Sequence, residues 1–150
     1  MKNLFDRGTA TEIETRLDRL RPDSAAQWGR MNVAQAMTHC RLSVEMALGD
    51  LRPPRKLIGR LLGRIIKPLA LGDDKPMRKN SPTVDGIVVG DSRDLEVERR
   101  HLREAIDRFV SGGRAGVTTY PHAFFGTLAP DEWGILMYKH LDHHLRQFGV

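Results

Sequence analysis

The stretch Trp133-Gly-Ile-Leu-Met-Tyr-Lys-His140-Leu-Asp-His143-His144-Leu-Arg-Gln147-Phe148 sets the reading of the whole chain, because it packs three of the six histidines into five residues. An α-helix advances about 100° per residue, so the facing of each side chain can be counted. With His140 at zero, Trp133 falls at about 20°, His144 at about 40°, Met137 at about 60° and Phe148 at about 80°. Lys139, Asp142 and Arg146 point the opposite way, at about −100° to −160°, and are expected to face solvent. His140 and His144 therefore lie inside the apolar stripe, where an imidazole without a partner is costly to bury. His143, near Leu136 at about −60°, lies on the border of that stripe. Two histidines four residues apart on one helix face can share a metal ion, as in the H-E-x-x-H zinc motif; they can equally be core residues bonded to carbonyls.

A third histidine upstream sharpens the choice. Asn32 reads as an N-cap with Gln35 at the reciprocal position, and Gly49 as the C-terminal stop, which predicts a helix over residues 33–48. Counted from His39, the residues Ala36, Ala47, Cys40, Val33, Val44, Met37 and Leu48 spread from about 60° to 180°, with Met46 and Leu42 just on its other side. Thr38, Arg41 and Glu45 form the polar edge. His39 thus looks inward, as His140 and His144 do. Cys40 points about 100° away from His39 and reads as a small buried hydrophobe rather than a ligand.

Outward from these two helices, Thr9 and Glu12 are spaced as a capping box for a helix over residues 10–20, with Ile13, Leu17 and Leu20 inward. Another helix is expected over 95–110, stopped by Gly112-Gly113, with Leu95, Leu102, Ile106 and Phe109 inward. The last helix begins near Pro130, where Asp131 and Glu132 suit the positive end. Residues 72–93 carry the turn signals Pro76, Asn80-Ser81-Pro82 and Asp85-Gly86, with Ile87-Val88-Val89 as a short extended segment. A connection this long in a small domain commonly forms a lid or a wrap across the bundle.

The bulk numbers describe one soluble domain over residues 1–150, with 40% hydrophobic and 29% charged residues. No apolar run approaches the roughly 18 residues of a membrane span, and the acid in Met1-Lys-Asn-Leu-Phe-Asp6 comes too early for a signal peptide. One cysteine makes no internal disulfide and no thiolate-rich zinc site, so a cytoplasmic location is expected and any metal must use histidine and carboxylate ligands. Residues 51–80 hold nine basic and two acidic residues, a balance of +7 that leaves −2 for the rest of a chain whose total is +5. Within that patch Arg60, Arg64 and Lys67 follow helical spacing opposite Leu57, Ile58, Leu61, Leu62 and Ile65. This marks an anion-binding flank, a membrane-surface helix, or a solvated face on a packed helix. The aromatic content of 6% and the single basic helix argue against nucleic acid, and no dinucleotide fingerprint, Ser-His-Asp arrangement or repeat is present.

Three stretches carry a resemblance over nearly the whole chain: Trp28-Gly-Arg-Met-Asn32 running into Gln35 and His39, His122-Ala-Phe-Phe-Gly126, and Glu132-Trp-Gly through His140-Leu-Asp-His-His144-Leu-Arg-Gln-Phe-Gly149. With these the chain resembles the DinB-like (YfiT-like) metalloenzymes, and within them the branch catalogued only as a domain of unknown function. It departs at Ala123, where that branch commonly has proline, and at Ala129-Pro130, which replaces a better cap. The resemblance implies an all-α fold: a four-helix bundle (up-down-down-up, DinB-like) with a long irregular connection and an extra basic helix. It also implies a divalent metal held by His39, His140 and His144. Three imidazoles leave coordination positions open, the arrangement of a catalytic site, in which an ion polarises a carbonyl or lowers the pKa of a bound water or thiol. Zinc and nickel suit such a site, and iron and manganese are compatible with it. His143 and His122 are the candidates for orienting a ligand or transferring a proton. Members of the superfamily with assigned activities act on small molecules with a low-molecular-weight thiol, so a thiol-dependent transferase or a hydrolase is expected. A homodimer fits the same resemblance, and nucleic acid and membrane are not expected partners. The rival expectation is a non-catalytic binding module that uses the 51–80 patch for nucleic acid or anionic membrane.

Overall fold

The structure, a computed structural model, describes residues 1–55, 57–81, 84 and 86–150, and, at residue 58, the backbone alone. Lys56 of the basic patch, the side chain of Ile58, and Pro82 and Asp85 of the turn signals therefore lie outside the described residues. Among them are five α-helices and no strand: α1 (Arg7–Leu17), α2 (Val33–Leu48), α3 (Leu57–Leu71), α4 (Leu95–Gly112) and α5 (Pro130–Gln147). A four-helix bundle fits this arrangement, since α2 packs on α4 and α5 and α1 packs on the same two helices. Leu17, Met37, Val44, Leu102, Ile106, Phe109, Trp133 and Leu145 are all buried in its core.

Local signals place α2 well. Asn32 Oδ1 accepts from Gln35 N–H at 2.9 Å, and Gln35 Oε1 accepts from Asn32 N–H at 3.0 Å. Gly49 takes φ +87°, the left-handed stop that glycine adopts without penalty. The start of α1 departs from expectation. It begins at Arg7 rather than at residue 10, and Asp6, not Thr9, occupies the cap position without a side-chain bond. The cause is tertiary: Leu4 is fully buried and its N–H donates to Gly134 O at 3.0 Å, which delivers the chain to α1 early. The α5 start is as read, with Pro130 first and Glu132 Oε2 accepting from Ala129 N–H at 2.7 Å.

The expected solvent face of α5 is wrong at two positions. Asp142 is buried, bonded by Arg16 Nη1 at 2.8 Å and Arg146 Nε at 2.7 Å. Lys139 is buried as well, donating to Ala70 O at 2.6 Å and Asp73 O at 3.0 Å. Because α1 and the end of α3 both lie against it, α5 is enclosed on more than one side. The Lys139 ammonium satisfies a terminal carbonyl of α3 and complements the negative end of its dipole. The polar edge of α2 is covered in the same way: Thr38 is buried, and Arg41 reaches Glu98 of α4 at 3.1 Å.

Among its described residues the connection between α3 and α4 forms no strand; Ile87 and Val89 turn inward and Val88 outward. The α3 helix meets the bundle through its two glycines. A Cβ at Gly59 would stand 2.8 Å from the Phe124 backbone, and one at Gly63 would overlap Phe124 O. Alanine in place of a helical glycine ordinarily adds about 1 kcal/mol of stability. At Gly63 the overlap with backbone opposes this gain, and overpacking costs about 1–3 kcal/mol. Gly63→Ala is therefore expected to lower the unfolding midpoint in denaturant; a rise would show that α3 does not touch Phe124.

Candidate metal centre

His39 from α2 and His140 and His144 from α5 turn their Nε2 atoms towards one another. His39 Nε2 lies 2.9 Å from His140 Nε2, and His144 Nε2 lies 3.1 Å from the same atom. His39 and His144 are buried and His140 is partly so.

The hydrogen bonds on the far side of each ring decide which nitrogens carry protons. His39 Nδ1 is 2.8 Å from Ile87 O, a carbonyl that can only accept, so Nδ1–H donates and Nε2 keeps a lone pair. The His144 tautomer is set at one remove. Gln147 Nε2 donates to Trp28 O at 2.6 Å, which leaves Gln147 Oε1 to accept from His144 Nδ1–H at 2.8 Å. His144 Nε2 therefore also keeps its lone pair. His140 Nε2 faces both, and a single proton there cannot bridge two acceptors with good geometry. The Nε2 atoms of His39 and His144 thus each stand about 3 Å from that of His140, with at most one proton among the three, a surplus of lone pairs that suits a cation.

Protonation of the rings does not resolve this. Burial pushes His39 below its ordinary pKa, against the raising effect of the Ile87 carbonyl. Burial, then the neighbouring His39 and His144, hold His140 well below it. Burial and His39 bring His144 down to about 3. All three are neutral near pH 7, the form in which imidazole binds metal. The spacing fits as well. Ligands at 2.0–2.1 Å from one ion stand about 2.9 Å apart at right angles and about 3.4 Å apart at the tetrahedral angle. The donor set also fits: imidazole nitrogens with ring N–H groups anchored on oxygen, the outer arrangement typical of ligating histidines. The three-histidine group could hold a metal ion.

The other expected residues are placed as follows. His143 is half-buried on the neighbouring face of α5, its ring 5.0 Å from that of His144 and 5.4 Å from that of Trp28. It lines a cavity of about 450 Å³ together with Trp28, Met77, Lys79 and Arg146. None of the three converging histidines lines this cavity, so it adjoins the centre rather than containing it. His122 is buried, and its Nδ1 accepts from the Phe124 and Phe125 amides at 3.0 and 3.1 Å, holding the tight turn closed by its bridge to Gly126. Lys67 is engaged by Glu132 at 2.8 Å and reaches Thr127 O at 3.3 Å, whereas Arg60 and Arg64 lie exposed on α3. Cys40 is buried, with its thiol pushed up by desolvation.

Sequence reasoning missed Gln147 and Ile87, the two residues that orient the ligands. A glutamine three positions after His144 was a usable signal, since i and i+3 share a helix face. The Ile87 carbonyl left no trace in the sequence.

Fold and site define a helical bundle built around a buried three-histidine group. The chain belongs to the family described as a protein of unknown function (DUF1569), which it matches over residues 5–149. No curated protein and no solved structure matches it.

Burial also brings His122 down to about 4 from the usual 6.5. The unfolded chain then binds a proton that the folded chain refuses, so this contribution to stability is complete above pH 6.5 and is lost as pH falls towards 4. In metal-stripped protein the melting temperature should fall across that window, and less steeply in His122→Asn, whose amide oxygen still accepts from the turn. An unchanged slope would place His122 outside this linkage.

Proposed function

We propose that this protein is a metal-dependent enzyme of the DinB-like type, its bundle running up-down-down-up with α3 as the added basic helix. In this reading His39, His140 and His144 hold a divalent ion through Nε2. The carrying observation is the convergence of three Nε2 atoms with fewer protons than hydrogen bonding between them would need. When bound, the ion supplies a Lewis acid beside an open position. Zinc or nickel suits three neutral imidazoles, although such ligands discriminate poorly against iron and manganese.

The chain's own residues then divide the remaining work. Ile87 O and Gln147 hold two of the rings in register. The cavity beside His143 takes a small-molecule substrate, and Lys79 and Arg146 on its wall favour one with an anionic group. His143, on the wall of that cavity, is the residue placed to accept a proton there. His122, committed to its turn, supports the site without entering it. A low-molecular-weight thiol as co-substrate gives a transferase, and water in its place gives a hydrolase.

Freshly purified protein is expected to contain close to one equivalent of divalent metal by elemental analysis, lost in a His140→Ala, His144→Ala double variant. Gln147→Ala keeps the ligands but should weaken metal affinity about 10- to 100-fold. Protein that holds no metal and takes up none on titration would overturn this reading.

A further inference from the structure

The α3 helix is amphipathic in the inverted sense. Gly59 and Gly63 lie against the Phe124 backbone and Leu71 enters the core, while five of its large apolar side chains point away from the protein. Leu57, Leu61, Ile65 and Leu69 are 76%, 77%, 64% and 74% exposed, and Leu62 is 42% exposed. At 100° per residue these five occupy one arc of about 140°, and Arg60 and Arg64 border it along one edge. Both arginines are exposed, as are Arg52 and Arg55 just before the helix. Residues 51–72 contain no acid. Scattered exposed apolar residues need no explanation, whereas four leucines and an isoleucine on one helix face form a contiguous patch, which marks a surface that is covered in use.

We propose that this face of α3 docks on an anionic membrane surface, its leucines entering the boundary between headgroups and acyl chains and Arg60 and Arg64 meeting lipid phosphates. Charge decides between occupants. A second copy of the chain would bring its own α3 arginines against these, with no carboxylate in either segment to offset the repulsion. An anionic bilayer offers the opposite charge along the same edge. Partial burial of an apolar helix face with a basic border is the mode of interfacial helices, which lie on a bilayer without crossing it. Among the described residues no helix is long and apolar enough to cross. Lys139 at the Ala70 carbonyl and Lys67 at Glu132 fasten α3 to the bundle, so the helix is presented as a rigid face.

The full-length protein would be sedimented with vesicles of phosphatidylcholine alone and of phosphatidylcholine mixed with phosphatidylglycerol, from low to high salt. Binding to the mixed vesicles only, weakening as salt rises, is expected. Leu61→Glu with Ile65→Glu should abolish it while helical content and metal uptake stay unchanged. Arg60→Gln and Arg64→Gln, which leave the apolar stripe intact, should each weaken it about fivefold. Absence of binding at low salt, or equal binding to both vesicle types, would overturn the proposal. So would a concentration-dependent dimer in light scattering that Leu61→Glu with Ile65→Glu dissolves without any vesicle binding; that result would assign the face to a second copy.

Discussion

Two hydrogen bonds on the outside of the histidine cluster govern what the inside can be. The Ile87 carbonyl and the Gln147 amide oxygen each take an Nδ1 proton, and by doing so turn a lone pair inward on His39 and on His144. Desolvation then keeps all three rings neutral. Neutral imidazoles whose Nε2 atoms stand 2.9 and 3.1 Å from that of His140, with more lone pairs than protons between them, form a group that could hold a metal ion. The rest of the molecule serves to hold that crowding in place.

That requirement explains why α5 is enclosed rather than half-exposed. The helix carries two of the three rings, and a small rotation would separate them. Asp142, clamped between Arg16 and Arg146, ties its far face to α1. Lys139, bonded to Ala70 O and Asp73 O, ties a second side to the end of α3. Charged groups are costly to bury, but each of these has partners on two sides, so removing one partner would leave an uncompensated charge in the packing. The Trp28 carbonyl contributes from a loop: by accepting from Gln147 it fixes the amide that fixes His144. A backbone oxygen on the rim of the cavity is thus linked through two hydrogen bonds to a nitrogen at the centre.

Two surfaces outside the core and the histidine group have different character. The cavity walled by Trp28, Lys79, His143 and Arg146 is small, polar in part and one ring from the histidine group, which suits a compact ligand. The outer face of α3 is broad, apolar and bordered by arginine, which suits an extended surface. A single basic patch in the chain therefore divides in space: Lys79 closes on the Trp28 ring at 4.3 Å beside the cavity, while Arg60 and Arg64 stay with α3.

From the amino-acid order alone, α2 could be placed with both of its ends, because its capping box and its glycine stop act within a few residues. The inward facing of His39, His140 and His144 was equally legible, since helical periodicity alone orders side chains around an axis. Solvent exposure along α5 was not, because periodicity assumes one buried face and three neighbours surround this helix. The start of α1 shifted for a similar reason: Leu4 docks on Gly134, a contact between residues 130 positions apart. In α3 two glycines let the helix approach Phe124, and that approach turned the leucines outward. Side-chain order is local and can be counted. Which nitrogen holds a proton, and which face meets water, depends on groups that only folding brings within reach.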